Sequence, residues 1–209
     1  MTLDTESLFH DVVQVWESHW DEELNTVPPK EMVKATQSAA ETYPNKRIVS
    51  HFVQPHFPFI GPKALEWFGP QGGFEKSRGE LLDGDRDRKY DNIWEQARHG
   101  TVSSERVETA YRENLEITLP HVQRIIDSVQ GKVVVTSDHG NMIGERAWPF
   151  PVRIYGHPPY VLTEELIKVP WLVVNDQNRR KIVSESPNND QTVNQNVAND
   201  RLKDLGYLD

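Results

Sequence analysis

The chain has 209 residues, which suits one good-sized domain, and its composition of 36% hydrophobic and 26% charged residues is that of a globular protein. Acidic residues outnumber basic ones by 32 to 23, and the net charge of −9 argues against nucleic acid as a partner because an acidic surface repels phosphates. The sequence has no cysteine, which excludes disulfides, thiolate metal sites and a thiol nucleophile.

The first part of the chain begins with acidic residues and then becomes helical. Residues 1–6 are polar and acidic, unlike a signal peptide. No stretch approaches the ~20 consecutive apolar residues of a membrane span, so a cytoplasmic location is expected. Pro28 and Pro29 suit the first turn of a helix, and residues 30–42 are rich in helix-forming side chains. We therefore predict a helix that ends before Pro44.

A short apolar segment and a proline-rich loop follow. Residues 47–53 are rich in β-branched side chains and predict a buried strand, in which His51 is expected to be a core residue. The loop at residues 54–62 contains three prolines that stiffen it, and it holds His56 among aromatic side chains. Residues 69–91 are rich in Gly, Asp, Arg and Lys, which predicts an exposed excursion or a mobile lid.

A long amphipathic helix is predicted from about residue 103 to residue 129. Ser103 or Ser104 can serve as its N-cap, and Gly131 follows its end. Pro120 lies inside the pattern and is expected to kink or divide the helix. The residues at helical spacing are Val107, Ala110, Tyr111, Leu115, Thr118, Leu119, Val122, Ile125, Ile126 and Val129.

Two further apolar runs complete the predicted fold. Residues 132–136 and 169–174 read as buried strands. Strand, helix and strand in succession predict an α/β fold, with a mostly parallel sheet sandwiched between helices. We expect one α/β domain over residues 1–175. Residues 176–209 are rich in Asn, Gln, Asp and Ser, which predicts a polar linker that ends in a short helix near the C-terminus.

The most specific chemical feature is a strand that runs directly into Ser137-Asp138-His139-Gly140. In a parallel sheet, ligands bind at the carboxyl ends of the strands. A carboxylate next to an imidazole offers two good ligands for a divalent metal ion, and glycine permits a sharp turn after them. The alternative is that Ser137 and Asp138 only cap the next helix.

Other motifs occur in a fixed order around this one. Gly144-Glu145 and Gly156-His157 come after it, and Val169-Pro170 then precedes an apolar strand. Upstream, Pro55-His56-Phe57-Pro58-Phe59 follows the first predicted strand. In this order the motifs resemble the alkaline phosphatase/sulfatase superfamily, over about residues 46–175.

The resemblance implies an alkaline-phosphatase-like sandwich that is truncated at its N-terminus, and it implies roles for four residues. Asp138 and His139 would bind a divalent metal ion: Mn²⁺, Mg²⁺, Ca²⁺ or Zn²⁺. His56 would contact the sulfate or phosphate group of the substrate. His157 would bind the same anion or act as the catalytic acid that protonates the leaving group, and a cationic imidazole suits both tasks. The alternative is that His56 and His157 are packed loop residues.

The sequence departs from the family pattern in its N-terminal part. Family members carry a Ser or Thr nucleophile, or a formylglycine made within Cys/Ser-x-Pro-x-Arg, and this chain has no such motif. Its first 45 residues also contain no apolar strand that ends in Asp. We therefore expect either a truncated enzyme or a homo-oligomer or partner chain that supplies the missing half.

These observations predict a metal-dependent hydrolase-like domain that acts on sulfate or phosphate esters of small molecules or glycans. The domain is expected to be inactive alone if no nucleophile is supplied to it. Two alternatives stay open: a non-catalytic anion-binding or interaction protein, and a phospho-transferase of cell-surface polymers.

Overall fold

The computed structural model describes residues 8–69, 93–147, 152–174 and 179–188. Within these ranges the chain forms six helices and four strands. In chain order the elements are α1 (Val15–His19), α2 (Pro29–Thr42), α3 (Pro62–Phe68), α4 (Ile93–Arg98), α5 (Ser104–Ser128), β1 (Val133–Thr136), β2 (Met142–Arg146), β3 (Arg153–Gly156), α6 (Glu164–Ile167) and β4 (Trp171–Val174). Residues 70–91 of the predicted excursion and the predicted C-terminal helix lie outside the described residues.

The four strands form two small antiparallel sheets, β1 with β4 and β2 with β3. The prediction of a mostly parallel, alkaline-phosphatase-like sheet sandwiched between helices is therefore wrong. A parallel pair needs a crossover that returns the chain to the start of the first strand. Here the chain returns to the end of β1, because Thr136 lies opposite Trp171 and Val133 lies opposite Val174. The segment between the two strands contains only the β2–β3 hairpin and the short helix α6 among its described residues.

The prediction of a buried strand at residues 47–53 is also wrong. The structure has no helix or strand there, and the segment leads irregularly into the proline-rich loop. His51 is not a core residue, since 69% of its side chain is exposed. A run of β-branched residues indicates an extended backbone, but a strand also needs a neighbouring chain with which to form hydrogen bonds.

The two long helices agree with the sequence. Helix α2 begins at Pro29, in the first turn that suits proline. Helix α5 begins after Ser103, whose side chain accepts a hydrogen bond from the Arg106 amide and so caps the helix. Pro120 lies within α5 and does not divide it. None of the helices in the described ranges has the length and apolar character needed to cross a membrane.

The buried face of α5 differs in part from the predicted apolar stripe. Leu115 and Leu119 are 38% and 48% exposed. Asn114, which is not part of the predicted stripe, lies in the buried face together with Thr118, which is part of it. Two polar side chains therefore face the interior of the protein at positions where an ordinary amphipathic helix would present leucine.

A hydrophobic core joins α3, α4, α5 and β3. Trp94 of α4 lies at its centre, with its ring 6.0 Å from the ring of Phe59. The buried members are Phe59, Ala64, Ile93, Trp94, Ala97, Val107, Ala110 and Tyr155. This core lies beneath both the proline-rich loop and the end of β3, and so it positions the two segments that carry His56 and His157.

The described part of the predicted linker, residues 179–188, forms hydrogen bonds and an ion pair with the segment that follows α2. The Arg180 guanidinium donates a hydrogen bond of 2.7 Å to the Pro44 carbonyl. Lys46 and Glu185 form an ion pair at 2.6 Å. This part of the chain contains no helix or strand, which agrees with its polar composition.

Candidate functional site

The structure brings together all four residues that the sequence singled out. The Nε2 atoms of His56 and His157 lie 3.0 Å apart. The rings of His139 and His157 lie 4.4 Å apart between centroids. We call His56, His139 and His157 the histidine cluster. Asp138 and His51 lie at its exposed edge, with 3.9 Å between Asp138 Oδ2 and His51 Nε2.

His56 is the most deeply buried member of the cluster, with only 4% of the residue exposed. Its Nδ1 lies 2.7 Å from the carbonyl oxygen of Phe57. Since a carbonyl oxygen only accepts hydrogen bonds, Nδ1 carries the proton, and the neutral ring has its lone pair on Nε2. The ring packs between Phe57 and Trp94, at centroid distances of 4.7 Å and 6.2 Å.

His157 follows β3 directly and owes its position to Gly156. Gly156 has a φ of +73°, a conformation that L side chains rarely adopt. A Cβ at this position would lie 3.2 Å from the Trp94 ring. The glycine therefore permits both the turn and the close approach of the backbone to the core, and these place His157 next to His56.

His139 lies in the loop between β1 and β2, and its ring is also anchored to the backbone. Its Nδ1 donates to the Gly140 carbonyl at 2.8 Å, which leaves the lone pair of the neutral ring on Nε2. The Gly140 amide donates to the Leu166 carbonyl at 2.9 Å. A Cβ at Gly140 would lie 1.9 Å from the Glu165 carbonyl oxygen. Only glycine fits this contact between the His139 loop and α6.

Asp138 is the most exposed of the predicted site residues, with 55% of its side chain accessible. Its Oδ1 accepts a hydrogen bond from the His139 amide at 2.9 Å. Its Oδ2 lies 3.8 Å from His139 Nε2. The next element is strand β2, so the alternative in which Asp138 caps a following helix is wrong.

Burial makes the two central imidazoles weak bases. The loss of hydration lowers the pKa of His56 from 6.5 to about 4. Burial also lowers the pKa of His157, and the nearby His139 adds to this effect. Both rings are therefore mainly neutral at pH 7, and burial disfavours the cationic form that would suit anion binding.

Asn114 was not identified from the sequence, although it contacts the loop that carries His56. The residue is fully buried on α5, and its side-chain amide donates to the His56 carbonyl at 3.0 Å. The signal that could have identified it is its spacing. Asn114 follows Ala110 by four residues, on the face of the helix that was expected to be apolar.

The donor atoms at the site suit a divalent metal ion in type, although no cage is preformed. Neutral imidazole nitrogens and a carboxylate are the ligands that Zn²⁺ and Mn²⁺ accept, whereas Ca²⁺ and Mg²⁺ prefer oxygen ligands. Within the described ranges, no group of three or more His, Asp or Glu residues has the arrangement of a metal site. An ion bound here would therefore use few protein ligands, with water or an anion completing its coordination.

Comparisons with family models, curated proteins and solved structures found no match to this chain.

Proposed function

We propose that the histidine cluster binds a divalent metal ion together with the sulfate or phosphate group of an ester, as the site of a metal-dependent hydrolase-like domain. The observation that carries the proposal is the approach of His56 Nε2 and His157 Nε2 to 3.0 Å. The proposal concerns this local site and does not require an alkaline-phosphatase-like sheet.

The separation of the two nitrogens supports a shared ion. Two imidazole nitrogens bound at about 2.0–2.1 Å to one ion lie about 2.9–3.4 Å apart, depending on the coordination angle. The 3.0 Å between His56 and His157 lies within this span. The same separation allows a hydrogen bond between the two rings, in which His157 Nε2–H would donate to His56 Nε2, because Nδ1 of His56 carries the proton of that ring.

The backbone hydrogen bonds of the cluster also support metal binding. His56 and His139 each donate from Nδ1 to a backbone carbonyl, at 2.7 Å and 2.8 Å. Hydrogen bonds of this kind fix the tautomer and the ring orientation of histidines that bind metals through Nε2. The lowered pKa values of His56 and His157 act in the same direction, because a neutral imidazole is the form that binds a metal ion.

Each residue of the site receives a role in this proposal. A bound divalent ion would polarise an oxygen of the ester group. His56 and His139 direct Nε2 lone pairs toward the site, and Asp138 offers a carboxylate at its exposed edge. His157 either binds the ion or, where the bound anion stabilises its cationic form, protonates the leaving alcohol, as the resemblance implies. We assign no nucleophile, and propose that water, a second copy or a partner chain supplies it.

Metal titration tests the proposal. Protein treated with EDTA is titrated by calorimetry with Zn²⁺, Mn²⁺, Mg²⁺ and Ca²⁺. We expect one Zn²⁺ or Mn²⁺ to bind per chain, and we expect His56→Ala to weaken the affinity at least ~10-fold. The control is His99→Ala, which removes an exposed histidine at the end of α4. Wild-type protein that binds none of the four ions would contradict the proposal.

Turnover assays then distinguish the two roles of His157, and they distinguish a hydrolase from a non-catalytic anion-binding protein. Hydrolysis of nitrophenyl sulfate and nitrophenyl phosphate is measured with each ion. His157→Gln that binds the ion normally but loses turnover would identify His157 as the acid, whereas lost binding would identify it as a ligand. Wild-type protein that binds metal and inorganic sulfate or phosphate without turnover would favour the non-catalytic anion-binding protein.

A further inference from the structure

Asn114 is a buried amide at a position in α5 where the helix pattern calls for an apolar side chain. The residue is completely buried. Its neighbours on the same face include Val107 and Ala110, which belong to the hydrophobic core. A buried amide in such surroundings is stable only when its donors and acceptor are hydrogen-bonded, so the partners of Asn114 indicate why this residue type is needed there.

Among the residues that the structure describes, every hydrogen-bond partner of the Asn114 side chain lies in the loop that carries His56. Nδ2 donates to the Pro55 carbonyl at 3.2 Å and to the His56 carbonyl at 3.0 Å, and it lies 3.4 Å from the Pro58 carbonyl. Oδ1 accepts from the Ile60 amide at 3.0 Å. One side chain thus holds the backbone on both sides of His56 and at His56 itself.

The composition of the loop explains why it depends on an external donor. Pro55 and Pro58 have no backbone N–H, so the loop cannot form a regular hydrogen-bonded ladder of its own. The His56 amide makes one local bond, to the Val53 carbonyl at 3.1 Å. The buried carbonyls that face α5 therefore need donors from elsewhere, and the Asn114 amide supplies them.

We propose that Asn114 is a positioning residue that holds His56 Nε2 within reach of His157 and so maintains the histidine cluster. Asn114 acts on His56 indirectly, because its side chain forms hydrogen bonds with backbone atoms of the loop and not with the imidazole ring. The effect on metal affinity rests on the proposed function, whereas the effect on the distance between the two histidine rings does not.

A residue that only fills the core would behave differently. Its replacement would lower the stability of the whole domain and leave the geometry of the surviving folded molecules unchanged. Thr118 provides the matched comparison, because it lies one helical turn further along the same face, is 3% exposed, and donates only to the Asn114 carbonyl. Thr118→Val therefore perturbs the buried face of α5 without removing a bond to the loop.

The experiment compares Asn114→Asp with Thr118→Val. The aspartate keeps the shape of the side chain and an acceptor for Ile60. Burial would raise the pKa of this carboxyl, so the measurements are made at a pH high enough to ionise it, where it has no donor for the loop carbonyls. Two properties are measured: the affinity for Zn²⁺, and the nuclear Overhauser contact between the rings of His56 and His157 in metal-free protein. We expect Asn114→Asp to weaken Zn²⁺ binding about 10–100-fold and to lose the ring contact. Thr118→Val is expected to preserve both properties.

The outcomes distinguish the two proposals. A folded Asn114→Asp protein that keeps the ring contact and binds Zn²⁺ with unchanged affinity would overturn the positioning role. If the wild-type protein binds no Zn²⁺, the proposed function fails, and the ring contact alone decides the role of Asn114. If Asn114→Asp does not fold, Asn114→Ser takes its place, because its single hydroxyl donor cannot serve the loop carbonyls as the amide does. Loss of the ring contact then supports the positioning role, and an unchanged ring contact overturns it.

Discussion

The two halves of the candidate site lie on parts of the molecule that differ in packing. His56 and His157 rest on the Trp94 core, and His56 is 4% exposed. Asp138 and His139 follow β1, in a two-stranded ribbon whose Trp171 is 69% exposed. An isolated two-stranded sheet is marginally stable in water. The comparison suggests that the core fixes one half of the site, whereas the other half depends on a weaker element and a few local contacts.

The largest expected effect is on the free energy of unfolding, and it differs between a tryptophan in each half. Trp94→Ala removes the centre of the core beneath His56 and His157, and we expect it to lower the free energy of unfolding by about 3–5 kcal/mol. Trp171→Ala removes an exposed ring from the ribbon and is expected to cost about 0.5 kcal/mol or less. Urea denaturation of both variants measures the difference. Equal costs would show that the ribbon is as well packed as the core.

The pH dependence of stability tests the buried half. Burial lowers the pKa of His56 from 6.5 to about 4 in the folded protein. Between these values the unfolded chain binds a proton that the folded protein does not, so the free energy of unfolding falls as the pH falls from about 6.5 to about 4. The total loss from His56 is at most about 3 kcal/mol, and the lowered pKa of His157 adds to it in the same direction.

Urea midpoints from pH 7 to pH 4, measured in EDTA, check this slope. His56→Gln is the control, since it removes this titrating group, and it should make the curve shallower over this pH range, with the contribution of His157 remaining. A wild-type slope identical to that of the variant would show that His56 titrates as an exposed histidine.

Two glycines test how the His139 loop is held. Gly140→Ala places a methyl group 1.9 Å from the Glu165 carbonyl oxygen, so the loop and α6 must separate. Gly100→Ala meets no atom within 4 Å but is strained by its φ of +75°. We expect each variant to cost about 1–3 kcal/mol, by overpacking in the first case and by backbone strain in the second.

Only Gly140→Ala is expected to move the imidazole resonances of His139 and to weaken Zn²⁺ binding. Histidine NMR spectra and calorimetry measure these two effects. Unchanged His139 signals in Gly140→Ala would mean that the contact with α6 does not set the position of this ring.

The smallest expected effect concerns the exposed carboxylate. Asp138 is 55% exposed, so Asp138→Asn should change the free energy of unfolding by less than about 0.5 kcal/mol. The same change should weaken Zn²⁺ binding, because it removes the carboxylate at the edge of the cluster. Paired measurements of stability and affinity check this prediction. A substantial loss of stability without a change in affinity would give Asp138 a structural role.

The sequence predicted individual elements better than their arrangement. The Val133–Thr136 run indicated a strand correctly, because β-branched residues favour an extended backbone, but the strand is only partly buried and not buried as predicted. The direction in which β4 pairs with β1 depends on the path of the chain between them, and an apolar run carries no information on that path. The long helix was predicted by its spacing, but the exposure of Leu115 was not, because tertiary contacts select which residues face the core.

The proximity of the predicted site residues followed from motifs, whereas their supporting contacts did not. His56 and His157 lie together although they are 101 residues apart in the sequence. Asn114 and His51 were missed as neighbours of the site. The helix pattern gives no reason to single out Asn114, and the apolar run predicts that His51 belongs to a buried strand. Only the folded structure shows that the Asn114 side chain holds the backbone around His56 and that His51 lies beside Asp138.

The most direct test of the shared metal site is a nitrogen NMR titration of protein labelled in its histidines. One equivalent of Zn²⁺ is added to metal-free protein, and the resonances of His56 and His157 are followed. We predict that the Nε2 signals of both residues shift together and stop changing at one equivalent, while Nδ1 of His56 stays protonated. Nε2 signals that stay in place, or that respond at different amounts of Zn²⁺, would contradict a single ion shared by the two imidazoles.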